Sequence, residues 1–157
     1  MSPSYNECLC FAAAAFTSKL MINKVLIARA RMASGIPAWK EDSRESLGVV
    51  GVAFRYMLLA AGPLTSKDDV ARLSGLEANS GECEPAFILA AAAYGFMFTS
   101  PPEYASKLIL AGVASRFLHS YFFVISPAQP WRAFTFLLPT GITLFLSAQV
   151  ITKFRTV

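Results

Sequence analysis

The sequence predicts an all-α protein, an integral membrane four-helix bundle forming one domain over residues 1–157, and three observations carry that reading. Mean hydropathy is +0.48 and 55% of the residues are hydrophobic, more than a soluble domain of this size usually carries. Apolar runs recur at about 20 residues, the helical length that crosses a hydrocarbon core of about 30 Å. Charged and polar side chains are planted inside those runs, where charge at membrane depth costs kilocalories and marks function by default.

The first predicted helix covers residues 8–30 and is interrupted by Lys19, Asn23 and Lys24. The residues before it, Ser2 to Glu7, carry no basic n-region, and no small-residue cleavage site follows, so this helix is expected to stay in the mature protein. The long segment after it carries Arg29, Arg31, Lys40, Arg44, Arg55, Lys67 and Arg72. That basic bias places the segment on the cytoplasmic side, and four crossings then put both termini in the lumen. Within it, residues 47–62 (LGVVGVAFRYMLLAAG) are apolar but reach only about 24 Å at 1.5 Å per residue and contain Arg55. This stretch reads as an extra short helix, interfacial or packed, and not as a fifth span. A crossing there would also put the basic end of the first helix and the polar start of the second on opposite faces.

The second helix begins near Asp69 and becomes strongly apolar over residues 85–98; the third covers 104–124 and the fourth 131–151. Pro101 and Pro102 break the chain between the second and third, Pro127 and Pro130 between the third and fourth, as expected for short hairpin loops between helices.

Several chemistries are set aside by composition. Three cysteines and one histidine form no metal-ligand spacing, so no metal is expected, and Cys8, Cys10 and Cys83 read as small apolar residues. Phosphate-binding glycine loops and a nucleophile elbow are absent. A net charge of +4, concentrated beside the membrane, suits anionic lipid or an anionic small molecule and not nucleic acid.

Spacing then groups the polar residues. Arg72, Asn79 and Glu82, seven and three apart, share one face of the second helix; Arg116 and His119, three apart, share a face of the third. Arg132 follows Pro130 and Trp131 at a helix start, where free backbone N–H groups add to its positive field. Arg31, Arg72, Arg116 and Arg132 supply guanidinium forks for carboxylates, and Asn79 and Glu82 supply an amide and an amine-binding carboxylate. Glutathione is a ligand of that chemistry.

At these residues the chain resembles the membrane-associated proteins in eicosanoid and glutathione metabolism, the MAPEG family. Ser18-Lys19-Leu20-Met21, Arg31 and Glu41-Asp42 stand at the family spacing; Asn79-x-x-Glu82 followed by Phe87, Arg116-x-x-His119 and Gln129-Pro130-Trp131-Arg132-Ala133 follow in order. The last string, with Phe136, is more similar to the microsomal glutathione transferase branch than to the prostaglandin E synthase branch.

The resemblance implies a homotrimer of four-helix subunits in the endoplasmic reticulum membrane, surrounded by membrane lipid, with glutathione bound between neighbouring subunits near the cytoplasmic face. By position, Arg31, Arg72, Asn79, Glu82, Arg116 and His119 would hold the peptide, and Arg132 would face the sulfur and stabilise its thiolate for attack on a lipophilic electrophile. Asp42 aligns with a carboxylate implicated in the chemistry of the prostaglandin synthase branch. Gly75, Glu77 and Phe123 depart from the pattern, standing where the family has Arg, His and Tyr. Two other readings therefore stand beside the transferase: a non-catalytic lipid-binding or adaptor member on the same scaffold, and a prostaglandin E synthase-like isomerase.

Overall fold

A computed structural model describes residues 3–34, 67–124 and 129–156. They form four α-helices in chain order: α1 Tyr5–Ser34, α2 Lys67–Met97, α3 Glu103–Val124 and α4 Gln129–Phe154. The all-α expectation holds, and each predicted helix is present with ends a few residues beyond those read from hydropathy. The short helix expected over 47–62 lies outside the described residues, as does Asp42.

The chain divides into two compact units, Met1–Lys19 with Asn79–Val157, and Leu20–Ala78. The first contains the start of α1, most of α2, and all of α3 and α4, so it is itself a bundle of four helical segments. Its core is continuous: Tyr5, Cys8, Ala12 and Phe16 of α1 pack with Phe87, Ala91 and Tyr94 of α2, Ala105, Ile109 and Val113 of α3, and Ile142 and Leu146 of α4. The second unit joins the end of α1 to the start of α2 and buries Ile27, Ala30, Val70, Leu73 and Leu76.

Local chemistry explains where the helices begin. Ser4 and Glu7 form a capping box at the start of α1. The Ser4 backbone N–H donates to Glu7 Oε2 at 2.7 Å, and the Glu7 N–H reaches Ser4 Oγ at 3.4 Å, so two end donors are satisfied reciprocally. Asp68 and Asp69 open α2, where negative charge suits the helix dipole. Pro102 precedes α3 and accepts the Ala105 N–H at 2.9 Å.

Buried positions then run along single stripes. On α1 they are Tyr5, Cys8, Ala12, Phe16, Lys19, Asn23, Ile27 and Ala30, spaced three and four apart; on α2 they are Leu73, Leu76, Ser80, Glu84, Phe87, Ala91 and Tyr94. Both stripes turn polar midway along the helix. Glycine allows close approach at two places in the bundle. A Cβ on Gly112 would lie 2.5 Å from the Phe87 ring, and one on Gly95 would lie 2.8 Å from the Tyr5 ring. Pro139 inside α4 removes the N–H that would bind the Thr135 carbonyl, and Ser115 Oγ of α3 donates to that carbonyl at 2.9 Å instead.

The outer surface is apolar, with Phe11, Leu89, Phe96, Leu118, Leu137 and Leu144 exposed, while Lys19, Glu84, Arg116 and His119 are buried. Apolar outside and charged inside is the arrangement expected of a protein dissolved in lipid. By length and apolarity, Tyr5–Arg31 and Pro130–Phe154 suffice to cross a membrane. The other two helices are long enough too, but their apolar character is diluted by the charges they carry, some buried and some exposed.

Candidate functional site

The bundle places its polar residues in two adjoining clusters that share α3. The first is centred on Arg116, 1% exposed. Its Nη2 donates to Asn79 Oδ1 at 2.7 Å and to the Asn79 carbonyl at 3.3 Å, while its Nε lies 3.6 Å from Glu84 Oε1. Lys19 of α1 binds the same Glu84 oxygen and donates to Ser80 Oγ at 3.1 Å. Asn79 and Glu84 of α2 thus approach one guanidinium of α3, with Lys19 of α1 and Ser80 joined to them, at the point where the stripes of α1 and α2 lose their apolar character.

The second cluster lies between α3 and α4. His119, one turn beyond Arg116, donates from Nδ1 to the Arg132 carbonyl at 3.1 Å. Since a carbonyl can only accept, the neutral ring carries its proton on Nδ1 and leaves Nε2 as an acceptor. Thr135 closes the arrangement, donating to the Trp131 carbonyl at 2.7 Å with its Oγ1 3.4 Å from His119 Nδ1. The Arg132 guanidinium lies over the Phe123 ring, 4.1 Å from its centre, a cation–π contact that orients the charge.

What these clusters leave unpaired matters most. Arg116 Nη1, Arg132 Nε, His119 Nε2 and Glu84 Oε2 are buried without a hydrogen-bond partner among the described residues. Buried polar atoms are nearly always paired, since each orphan forfeits a water contact at a cost of about 1–3 kcal/mol. Two guanidinium donors can grip carboxylates or a thiolate; the imidazole acceptor can take an N–H or S–H; and the set is poor in acid, with Lys19, Arg116 and Arg132 against Glu84.

The residues singled out from the sequence are distributed unevenly. Asn79 and Arg116 meet directly, and His119 and Arg132 meet through a backbone carbonyl. Glu82 does not join them: its side chain is exposed, because the buried stripe of α2 passes through Ser80 and Glu84. Arg31 and Arg72 belong to the second compact unit. There Arg72 pairs with Asp69 one turn earlier, and Arg31, in the last turn of α1, has a buried Nε without a hydrogen-bond partner among the described residues. Glu77, which stands where the family has His, is balanced by Lys24 at 2.7 Å within that unit. Gly75 is exposed, and Phe123 packs near His119, ring centres 5.8 Å apart.

Two neighbours of these side chains are not singled out by the sequence. Glu84 sits next to Pro85 and was passed over for Glu82, although it stands four residues from Ser80 and three from Phe87, on the stripe that becomes the core. Thr135 is ordinary as a letter in an apolar run, and only its hydrogen bonds single it out.

The sequence model of the MAPEG family matches residues 9–152. No curated protein and no solved structure matches the chain.

Proposed function

The chain belongs to the MAPEG family of membrane proteins, which includes glutathione transferases and related enzymes, and we propose that it is a glutathione transferase acting on lipophilic electrophiles. The observation that carries this reading is the set of buried, unpaired nitrogens on α3 and α4: Arg116 Nη1, His119 Nε2 and Arg132 Nε. They suit a tripeptide that brings two carboxylates, an ammonium group and a thiol.

In this reading Arg116 grips a carboxylate while Asn79 holds its guanidinium in place. His119, its Nδ1–H engaged by the Arg132 carbonyl, offers Nε2 to a peptide N–H or S–H. Arg31, Arg72 and Glu82 are assigned a share in binding on the family pattern alone, and the exposed Glu82 carboxylate suits a boundary between neighbouring subunits of a homotrimer. Arg132, already oriented by Phe123, stabilises negative charge on sulfur. Thiols are mostly protonated near neutrality, and a guanidinium in a low-dielectric site favours the thiolate, which is the nucleophile. When bound, glutathione supplies that thiolate. Asp42 is assigned an assisting role on the family pattern alone. Substrate arrives sideways from the bilayer, and the membrane proposed is that of the endoplasmic reticulum.

A lipid-binding or adaptor role is the second reading, and specific residues favour it. Gly75 has no side chain to contribute, and Phe123 has no hydroxyl to lend to a thiol beside Arg132. The discriminating experiment measures glutathione binding, thiolate absorbance and conjugation of a chlorodinitrobenzene in detergent. The transferase reading expects all three signals in wild type, and loss of the last two in Arg132→Ala. A folded wild type with none of them selects the adaptor role.

A further inference from the structure

Glu84 has no part in the glutathione reading so far, yet its carboxylate contacts the guanidinium on which that reading depends. It is 1% exposed, buried midway along α2 between Ser80 and Phe87. Oε1 takes the Lys19 ammonium and lies 3.6 Å from Arg116 Nε; from the same helix, Asn79 accepts Arg116 Nη2 at 2.7 Å. Residues 79 and 84 of α2 therefore engage two of the three guanidinium nitrogens. Asn79 hydrogen-bonds Nη2, Nε stays at ion-pair distance from Glu84 without a hydrogen bond, and Nη1 has no partner of either kind among the described residues.

A guanidinium is a rigid planar fork, so holding two of its nitrogens sets the direction of the third. Charge supports the same role. Lys19 and Arg116 bring two positive charges to one carboxylate, so Glu84 brings both cations together yet leaves one positive charge in surplus for an anion. Had Glu84 served only to neutralise Lys19, nothing would require its oxygen to stand within ion-pair range of Arg116.

We infer that Glu84 is a positioning residue, holding the Arg116 guanidinium against Asn79 so that Nη1 is aimed to receive a carboxylate of the ligand. The inference rests on the glutathione reading for the identity of that ligand. Glu84 touches no reacting atom and acts only through Arg116.

The test uses the full chain in detergent and two readouts: glutathione binding by equilibrium dialysis, and the side-chain N–H signals of nitrogen-15-labelled arginine, with those of Arg116 identified by their loss in Arg116→Lys. The informative variant is the double replacement Lys19→Met with Glu84→Leu, which removes both members of the buried pair and so leaves no buried Lys19 ammonium without its carboxylate. Glu84→Gln, which keeps the side-chain volume, is read in the same two ways in case the double variant does not fold. Positioning predicts that the Arg116 signals broaden or merge and that the glutathione Kd rises by at least about tenfold, the loss expected when one charge-assisted contact is misaligned. A folded variant with unchanged Arg116 signals and wild-type affinity overturns it. If wild type binds no glutathione, the ligand assignment fails, and the Arg116 signals alone then decide whether Glu84 positions the guanidinium.

Discussion

Near Phe87 and Gly112, α2 and α3 meet through carbon alone; at Glu84 and Arg116, about one turn away, the same helices meet through charge. The apolar contact is tight, and the packing continues onto α1 and along α2. Phe16 packs edge-on against Phe87 at 5.8 Å, Tyr94 stacks on Phe98 at 4.4 Å, and the buried Tyr5 hydroxyl donates to the Ala91 carbonyl at 2.6 Å. The charged contact is incomplete, with orphan nitrogens and oxygens on Arg116, His119, Arg132 and Glu84. Lipid tails are as apolar as a leucine-rich core, so packing fit has to hold membrane helices together, and the carbon contact provides it. The polar contact leaves those groups without partners among the described residues, which suits the proposed binding role better than a purely structural one.

The largest expected effect tests whether charge at the polar contact is balanced or merely tolerated. Glu84→Leu leaves Lys19 and Arg116 buried without their carboxylate and is expected to destabilise the protein by about 3–5 kcal/mol, whereas adding Lys19→Met recovers much of that loss. Unfolding of the single and double variants in mixed detergent micelles measures both; equal stability of the two would mean that the ion pair is not coupled. Next, Arg132→Ala is expected to lower conjugation by roughly 10²–10³-fold, the scale seen when one preorganised donor to a developing anion is removed, with little change in unfolding. Were stability to fall as steeply as turnover, the division between scaffold and site would fail at that residue.

The carbon contact is probed by Gly112→Ala. The added methyl meets the Phe87 ring at 2.5 Å, too close for any real contact, so the helices must part or the ring must turn. Overpacking of that kind costs roughly 1–3 kcal/mol, and glutathione affinity should hold to the extent that the polar contact is independent. The smallest effect is expected from Ser115→Ala, which strips the Thr135 carbonyl of the donor that replaces the missing Pro139 N–H. Hydrogen bonds between membrane helices average about 0.6 kcal/mol, so a small loss of stability is predicted, together with a shift in the His119 ring signals because Thr135 neighbours His119 Nδ1.

Much of the fold was legible in the sequence. Apolar runs located all four helices, Pro101 and Pro102 marked the break between α2 and α3, while Pro130 falls in the first turn of α4, and Ser4-x-x-Glu7 spells the start of α1 to anyone reading for a capping box. Of the candidate site, Asn79, Arg116, His119 and Arg132 were legible as polar letters at helical spacing, and the structure unites them in two pairs. Glu82 and Glu84 were not distinguishable in the same way. Spacing says which residues of a helix share a face, but not which face turns inward. In a soluble protein the apolar side settles that question; in a membrane helix both lipid and core are apolar, so the pattern carries little phase.

By itself, then, the sequence determined the class of protein, its helices and the presence of buried cations that suit an anionic peptide, because hydropathy and helical periodicity are local properties. Only the tertiary structure decided that Glu84 and not Glu82 lies inside, that Lys19 reaches across from α1 to meet it, and that Arg116 Nη1 and Arg132 Nε remain unpaired. Those facts depend on how helices are rotated against one another, and the rotation is set by contacts such as Gly112 on Phe87 between residues far apart along the chain.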